Sequence, residues 1–312
     1  MMQKITGLLT LSEGILCRKE VLGKSFKAQI ENKEVDIFFP QYPDIEGNDP
    51  VIGISAPLLP PLIAKKWKRG EEELLWGYPM HYPSGESCIE LLAMSAECNT
   101  ETVNDDADSL YGAIKRWEHA FVDYLKVETK QGTGRDKNIR RRSCTLELFS
   151  NEYIQENGIK ELFGYIPNLK HFASCDNIER AIVFANTGKE LKTEYQMLLS
   201  AYEARKSNQN RRSILDACAA VEIMLVNQIT KYCQSIGLPS EVLLKKYLYL
   251  GDRFDLVKTL STSFPREDYR TKIITPRNKV MHNKDVYPSD QTTDDLVKCV
   301  EVFLKHFHEA YF

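Results

Sequence analysis

The hydrophobic pattern of this chain changes its period near residue 187, and this change constrains the fold more than any other feature. Before that point, short apolar runs alternate with polar residues and are cut by Gly, Asn-Lys and Pro turn signals, as in β-strands. After it, apolar residues recur every three or four positions over long stretches, as in amphipathic helices. We therefore predict an α+β chain with a β-rich domain over residues 1–186 and an all-α bundle over residues 187–312.

The first domain is predicted to be mainly an antiparallel sheet with at least one amphipathic helix packed on it. Asp108 is the expected N-cap of that helix, whose apolar stripe follows it at helical spacing. The predicted stripe consists of Leu110, Ile114, Trp117, Phe121 and Leu125. The predicted strands cover residues 4–11, 13–19, 25–31, 34–40, 87–94 and 143–149.

The second domain is predicted to be an antiparallel bundle with long helices near both ends and shorter ones between them. Gly237 is expected to end a long apolar helix as its C-cap, and Gly251 to end the next, shorter helix. The predicted helices cover residues 187–206, 213–237, 240–251, 252–260 and 292–312, with one or two more short helices within residues 265–283.

One short stretch of the second domain, "TPRNKVMHN" at residues 275–283, combines residue types that serve in catalysis. Arg277 and Asn278 are adjacent and His282 follows, while Pro276 is expected at the first position of a helix. An arginine and a histidine at this spacing occur about once by chance in a chain of this composition. The weight of the motif therefore comes from its position between a short helix and the long terminal helix.

In that context, residues 187–312 resemble the HEPN superfamily of helical domains. The resemblance is carried by the helix "ACAAVEIMLVNQIT", the "RNKVMH" element after "IITP", and the terminal helix after "NKDVYPSDQTTDD", in the order the family shows. A HEPN domain preceded by another domain is similar to the arrangement of ApeA-type anti-phage proteins. The resemblance implies a metal-independent endoribonuclease that acts as a homodimer in antiviral defence, with the first domain sensing a trigger or restraining the nuclease.

The chemistry implied by the resemblance suits the three residue types. The RNA 2′-hydroxyl attacks the adjacent phosphate, leaving a 2′,3′-cyclic phosphate and a 5′-hydroxyl. An imidazole such as that of His282 exchanges protons near neutral pH, and the guanidinium of Arg277 can hold phosphate oxygens and growing negative charge. Asn278 is expected to orient one of these groups or the phosphate by hydrogen bonding.

Helical geometry adds a condition to this chemistry. Residues five apart are rotated by about 140°, so Arg277 and His282 do not share a face of one straight helix, and we expect two chains to build a composite cleft. Glu222 on the long helix matches the acidic position of the family. It either positions Arg277 or His282, or pairs with an arginine for structural reasons only.

A second candidate for RNA contact is the basic stretch at residues 132–143. Its arginines either bind a phosphate backbone or lie at a solvent-exposed hairpin tip; they are Arg135, Arg140, Arg141 and Arg142. A net charge of −3 is not that of a strongly basic nucleic-acid-binding protein, so any contact with RNA must be local. A non-catalytic HEPN module for dimerisation or for nucleotide or RNA binding is the alternative function.

The cysteines and the N-terminus favour a cytoplasmic protein without cofactors. The eight cysteines include no C-x-x-C pair, and we expect buried, reduced thiols. The spacing of His81, Cys88 and Cys98 matches no closed zinc site, and no acidic cluster with metal-ligand spacing lies near the motif. No apolar run has the length of a membrane span, and the short apolar N-terminus has no cleavage site behind it.

Overall fold

The chain forms two compact units that divide between Glu190 and Leu191. The boundary drawn from the sequence lay four residues earlier, between residues 186 and 187. The computed structural model describes residues 3–41, 68–69, 72–73, 76–81, 87–100, 103–131, 146–149, 172–261, 264, 268–282 and 287–307. An α+β architecture is confirmed, with an antiparallel sheet in the first unit and a mostly helical remainder.

The centre of the first unit is an antiparallel sheet in the order β2-β3-β7-β1-β8, with β6 also pairing with β7. Its strands are β1 (Gln3–Arg18), β2 (Ser25–Ile30), β3 (Lys33–Phe38), β6 (Gly77–His81), β7 (Ser87–Thr100) and β8 (Leu146–Phe149). A separate two-stranded pair consists of β4 (Lys68–Arg69) and β5 (Glu72–Glu73).

Strand β1 corrects one sequence-based prediction, because the two strands expected over residues 4–11 and 13–19 form a single strand. The register against β7 shifts between Thr10 and Ile15, as at a β-bulge. Gly14 lies in this shift, where a Cβ atom would stand only 2.3 Å from the Glu90 carboxylate oxygen Oε1. The glycine therefore marks a bulge with a close side-chain approach, not a turn.

The first unit also contains two helices, α1 (Val103–Thr129) and α2 (Cys175–Asn186), and a 3-10 turn at Lys19–Val21. The predicted apolar stripe of α1 is buried throughout, which confirms the helical spacing. Asp108 is not the N-cap, because α1 begins five residues before it.

Helix α2 was not predicted from the sequence. Its start is fixed by a capping box, in which the side chains of Ser174 and Asn177 satisfy each other's backbone N–H groups. At its end, the Asn186 Oδ1 atom accepts hydrogen bonds from the Gln29 backbone N–H and from Trp117 Nε1, each at 3.0 Å. Asn186 therefore joins α2 to β2 and α1.

The second unit is helical, as predicted. Its helices are α3 (Thr193–Lys206), α4 (Asn210–Ser235), α5 (Ser240–Lys246), α6 (Leu250–Leu260), a π-helical segment (Arg270–Ile274), α7 (Thr275–His282) and α8 (Asp290–Phe307). Gly237 follows α4 with a φ of +67°, which confirms the predicted glycine C-cap. Gly251 does not end a helix, because it is the second residue of α6.

Aromatic side chains fill the core where α6, the π-helical segment and α8 meet. Phe303 of α8 is fully buried, and its ring centroid lies 5.0 Å from that of Tyr269 and 5.2 Å from that of Phe254. Phe264 adds an edge contact to Phe303 at 6.1 Å. This cluster holds the segment that leads into α7.

Helix α4 is, within the described residues, the one helix long and apolar enough to cross a membrane by length and composition. Half of its most apolar window is buried inside this unit.

Candidate functional site

The motif residues lie on α7, which continues from the π-helical segment without a break. The Thr275 backbone N–H donates to the Arg270 carbonyl five residues back, and the φ and ψ of Thr275 are helical at −63° and −49°. Pro276 has no backbone N–H to donate to the helical hydrogen bonds, and its ring clashes with the preceding turn of a regular α-helix. The wider π turn before Pro276 relieves this conflict, so Pro276 does not begin an isolated helix as predicted.

The orientation of α7 is fixed by Val280, which is 1% exposed and is its one buried residue. Asn278 and His282 each lie two residues from Val280, which places both about 160° around the helix from it. Both side chains are exposed, as this geometry requires. Asn278 and His282 therefore share the outermost face of α7, four residues apart.

Arg277 lies nearer the buried side of α7. It is three residues from Val280, about 60° around the helix, and its side chain is half-buried. Its Nη1 atom donates a long hydrogen bond of 3.4 Å to Asn278 Oδ1, the one hydrogen bond that its side chain makes to a described residue. Among the described residues Arg277 forms no ion pair and His282 forms no hydrogen bond. One chain therefore does not bring Arg277 and His282 together.

The buried thiol of Cys218, on α4, contacts the turn that precedes Arg277. Its Sγ atom stands 4.0 Å from the Ile273 carbonyl oxygen, in the turn before Arg277. Burial raises the pKa of Cys218 to about 12, while the positive charge of Arg277 lowers it and the negative charge of Glu222 raises it. Arg277 and Glu222 are thus both within electrostatic reach of one buried thiol.

Glu222 lies one helical turn after Cys218, and its carboxylate is bound by an arginine that the sequence analysis did not single out. The Nη1 atom of Arg253, on α6, donates to Glu222 Oε1 at 2.5 Å. The Nε atom of the same guanidinium donates to the Tyr247 carbonyl at 3.0 Å. Glu222 therefore pairs with Arg253 and not with Arg277 or His282, which favours a structural role over a role in positioning the motif residues. This pair could not be predicted from the sequence, because no local sequence pattern links residues that lie 31 positions apart.

The first residues of α8 are anchored by a separate polar network. Arg205 donates from Nε to Asp294 at 2.7 Å and from Nη2 to Asp290 at 3.3 Å. The Asn210 amide donates to Asp290 at 2.7 Å and to the Pro288 carbonyl at 3.0 Å. The Asn210 hydrogen bond and the charge of Arg205 lower the pKa of Asp290 below its ordinary 3.8. This network fixes where the chain re-enters a helix after the motif.

No protein-family model, curated protein or solved structure matches this chain. The geometry of the described residues therefore carries the functional argument.

The remaining sequence-based candidates add nothing to this site. Arg135, Arg140, Arg141 and Arg142 lie outside the described residues. No group of three His, Cys, Asp or Glu side chains in the described ranges is arranged to hold a metal ion. The seven cysteines that the structure describes form no disulfide, and all but Cys175 are buried.

Proposed function

We propose that the protein is a metal-independent endoribonuclease that cuts RNA by attack of the 2′-hydroxyl on the adjacent phosphate. The observation that carries this proposal is the outward face of α7, where Asn278 and His282 lie side by side with Arg277 at its margin. An exposed imidazole without a described partner can exchange a proton with a substrate. A guanidinium with one long hydrogen bond retains donors for a phosphate.

The active form in this proposal is a homodimer in which the α7 faces of two chains enclose the RNA. A rotation of about 140° separates Arg277 from His282 on α7, so the two side chains leave the helix of one chain on different faces. Two α7 faces related by a twofold axis can bring the arginine of one chain to the histidine of the other. Asn278, on the same face of α7 as His282, then orients the imidazole or the phosphate.

We further propose a cytoplasmic effector of antiviral defence in which the first unit senses a trigger or restrains the nuclease. This part of the proposal rests on the resemblance to HEPN domains that follow another domain. The compact first unit, with its own sheet and helices, supports a separate role for it.

The test is the single substitution His282→Ala, with His306→Ala as the matched control. His306 is an exposed histidine on α8, outside the motif. Loss of a general acid or base is expected to lower the rate of RNA cleavage by about 10²- to 10⁴-fold. The wild-type products are expected to end in a 2′,3′-cyclic phosphate, and a metal chelator is expected to leave their formation unaffected. Undiminished cleavage by folded His282→Ala protein refutes the catalytic assignment.

The alternative is a non-catalytic module for dimerisation or for nucleotide or RNA binding. It is favoured by the separation of Arg277 from His282 in one chain and by the commitment of Glu222 to Arg253. In that case neither the wild type nor any variant cuts RNA, whether the module binds RNA, binds a nucleotide or only dimerises.

A further inference from the structure

Two large hydrophobic side chains next to the motif are exposed to solvent. Met281, on α7, is 48% exposed, and Tyr287, between α7 and α8, is 88% exposed, the highest value of any large hydrophobic side chain in the described part of the chain. Single exposed hydrophobic side chains are common on protein surfaces. These two differ from the others in their position, because they lie on either side of His282 in the sequence.

Helix geometry places Met281 beside the motif residues. Met281 follows Arg277 by four residues and Asn278 by three, and residues at these spacings are neighbours on a helix surface. The rotation is about 40° from Arg277 and about 60° from Asn278, so Met281 lies between them around the helix. An exposed apolar side chain is therefore the neighbour of the guanidinium and the amide that the proposed function assigns to RNA.

Tyr287 is presented by a backbone that is fixed directly after it. The Asn210 amide donates to the Pro288 carbonyl at 3.0 Å and to Asp290 at 2.7 Å. Pro288 also restricts the backbone of the residue before it to extended conformations. Because five residues span at most about 18 Å, the Cα atom of Tyr287 lies within that distance of the Cα atom of His282. A base only a few nucleotides from the cleaved phosphate can therefore reach the tyrosine ring.

We propose that Met281 and Tyr287 are substrate-binding residues, whose side chains pack against unpaired bases of the RNA close to the cleaved phosphate. The inference rests on the proposed ribonuclease function, since it names groups that bind the substrate of that reaction. Attack of the 2′-hydroxyl in line with the leaving oxygen requires the strand to leave the regular A-form helix, which unstacks the neighbouring bases. Proteins hold unstacked RNA bases on aromatic side chains, and a methionine sulfur makes favourable contacts with aromatic rings. The two side chains therefore replace the stacking that the cleaved strand loses.

The experiment measures how strongly each side chain is coupled to a base of the RNA. The probe is a single-stranded 2′-O-methyl RNA oligonucleotide, which lacks the attacking hydroxyl and reports affinity without cleavage. One form of the probe is intact, and each of the other forms lacks the base at a different position. The variants are Tyr287→Leu, which keeps an apolar side chain without a ring, and Met281→Gln, which keeps the length of the side chain without its apolar end. Tyr287→Ala and Met281→Ala replace them if either variant does not fold.

With the intact probe, we expect Tyr287→Leu to weaken binding by about 5- to 100-fold and Met281→Gln by about 2- to 10-fold. Tyr287→Phe and Met281→Leu are expected to bind within about twofold of the wild type, because they keep the ring and the apolar surface. Tyr249→Leu is the matched control, since Tyr249 is a second exposed tyrosine of this unit, at 75% exposure, and directly precedes α6. A loss of affinity in Tyr249→Leu equal to that in Tyr287→Leu overturns the assignment of Tyr287.

The probes that lack a base decide whether the contact is direct. If Tyr287 stacks on a base, removal of that base weakens binding by the wild type but leaves the affinity of Tyr287→Leu unchanged, and the same holds for Met281→Gln at its own position. Losses that multiply at every position for one variant refute the assignment of that residue. If they multiply for both variants, the two side chains act through the fold or through dimerisation, and the inference is overturned.

Failure of this inference is distinguishable from failure of the proposed function. If the wild type neither binds the probe nor cuts unmodified RNA, the proposed function is wrong and this inference falls with it. If the wild type cuts RNA and the losses multiply for both variants, only this inference is refuted. If the coupling to a base is found but the wild type cuts no unmodified RNA, the proposed catalysis is wrong and the base contacts stand.

Discussion

The orientation of α7 can be tested by removing the side chain that fixes it. Val280→Ala deletes two buried methyl groups, and at about 0.8 kcal/mol for each, the lost burial is about 1.6 kcal/mol. A cavity that neighbouring side chains fail to close raises the cost to about 2–3 kcal/mol. Alanine has a higher helix propensity than valine, which offsets up to about 0.5 kcal/mol of this loss. Val280→Ala is therefore expected to lower the free energy of local unfolding of α7 by about 1.5–2.5 kcal/mol.

Met281→Ala is the matched control, because Met281 is the next residue and is 48% exposed. Its removal is expected to cost less than about 1 kcal/mol. Hydrogen exchange of the α7 amide groups in the full-length chain measures both costs as changes in protection. If Met281→Ala lowers protection as much as Val280→Ala, then Val280 does not face the core. Asn278 and His282 would then not share the outward face.

Two further predictions concern the core and the pH dependence of the second unit. Phe303→Ala, in the centre of the aromatic cluster, is expected to lower the free energy of unfolding by about 3–5 kcal/mol in a denaturant titration, whereas truncation of the exposed Val302 to alanine costs little. The folded-state pKa of Asp290 is depressed, so its contribution to stability is present above the ordinary pKa of 3.8 and is lost as the pH falls through the folded value. Asp290→Asn is therefore expected to melt at a lower temperature than the wild type at neutral pH, and the difference shrinks below about pH 4. A difference that stays constant with pH refutes the ionic role of Asp290.

Features set by local chemistry were predictable from the sequence. The change of hydrophobic period separated a sheet from helices because the two structures place side chains on one face at different spacings. The α1 stripe and the glycine after α4 followed from the same local rules, since Gly237 adopts a backbone conformation that side chains disfavour.

Features set by partners distant in the chain were not predictable. Residues 4–11 and 13–19 were expected to form two strands, but their pairing with β7 joins them into one strand with a bulge at Gly14. Gly251 was expected to end a helix, but it is the second residue of α6. Glu222 matched a family position by spacing, yet Arg253 on another helix took its carboxylate. For β1 and for Glu222, a partner distant in the chain determines the local structure.

The most direct measurement of the central claim is RNA cleavage by a mixture of two inactive variants, Arg277→Ala and His282→Ala. In a mixed dimer, one cleft combines the intact Arg277 of one chain with the intact His282 of the other. Random association of equal amounts gives half mixed dimers, each with one intact cleft, so cleavage is expected to recover to about one quarter of the wild-type rate. If mixed dimers form and cleave no RNA beyond the level of the separate variants, the composite site is contradicted.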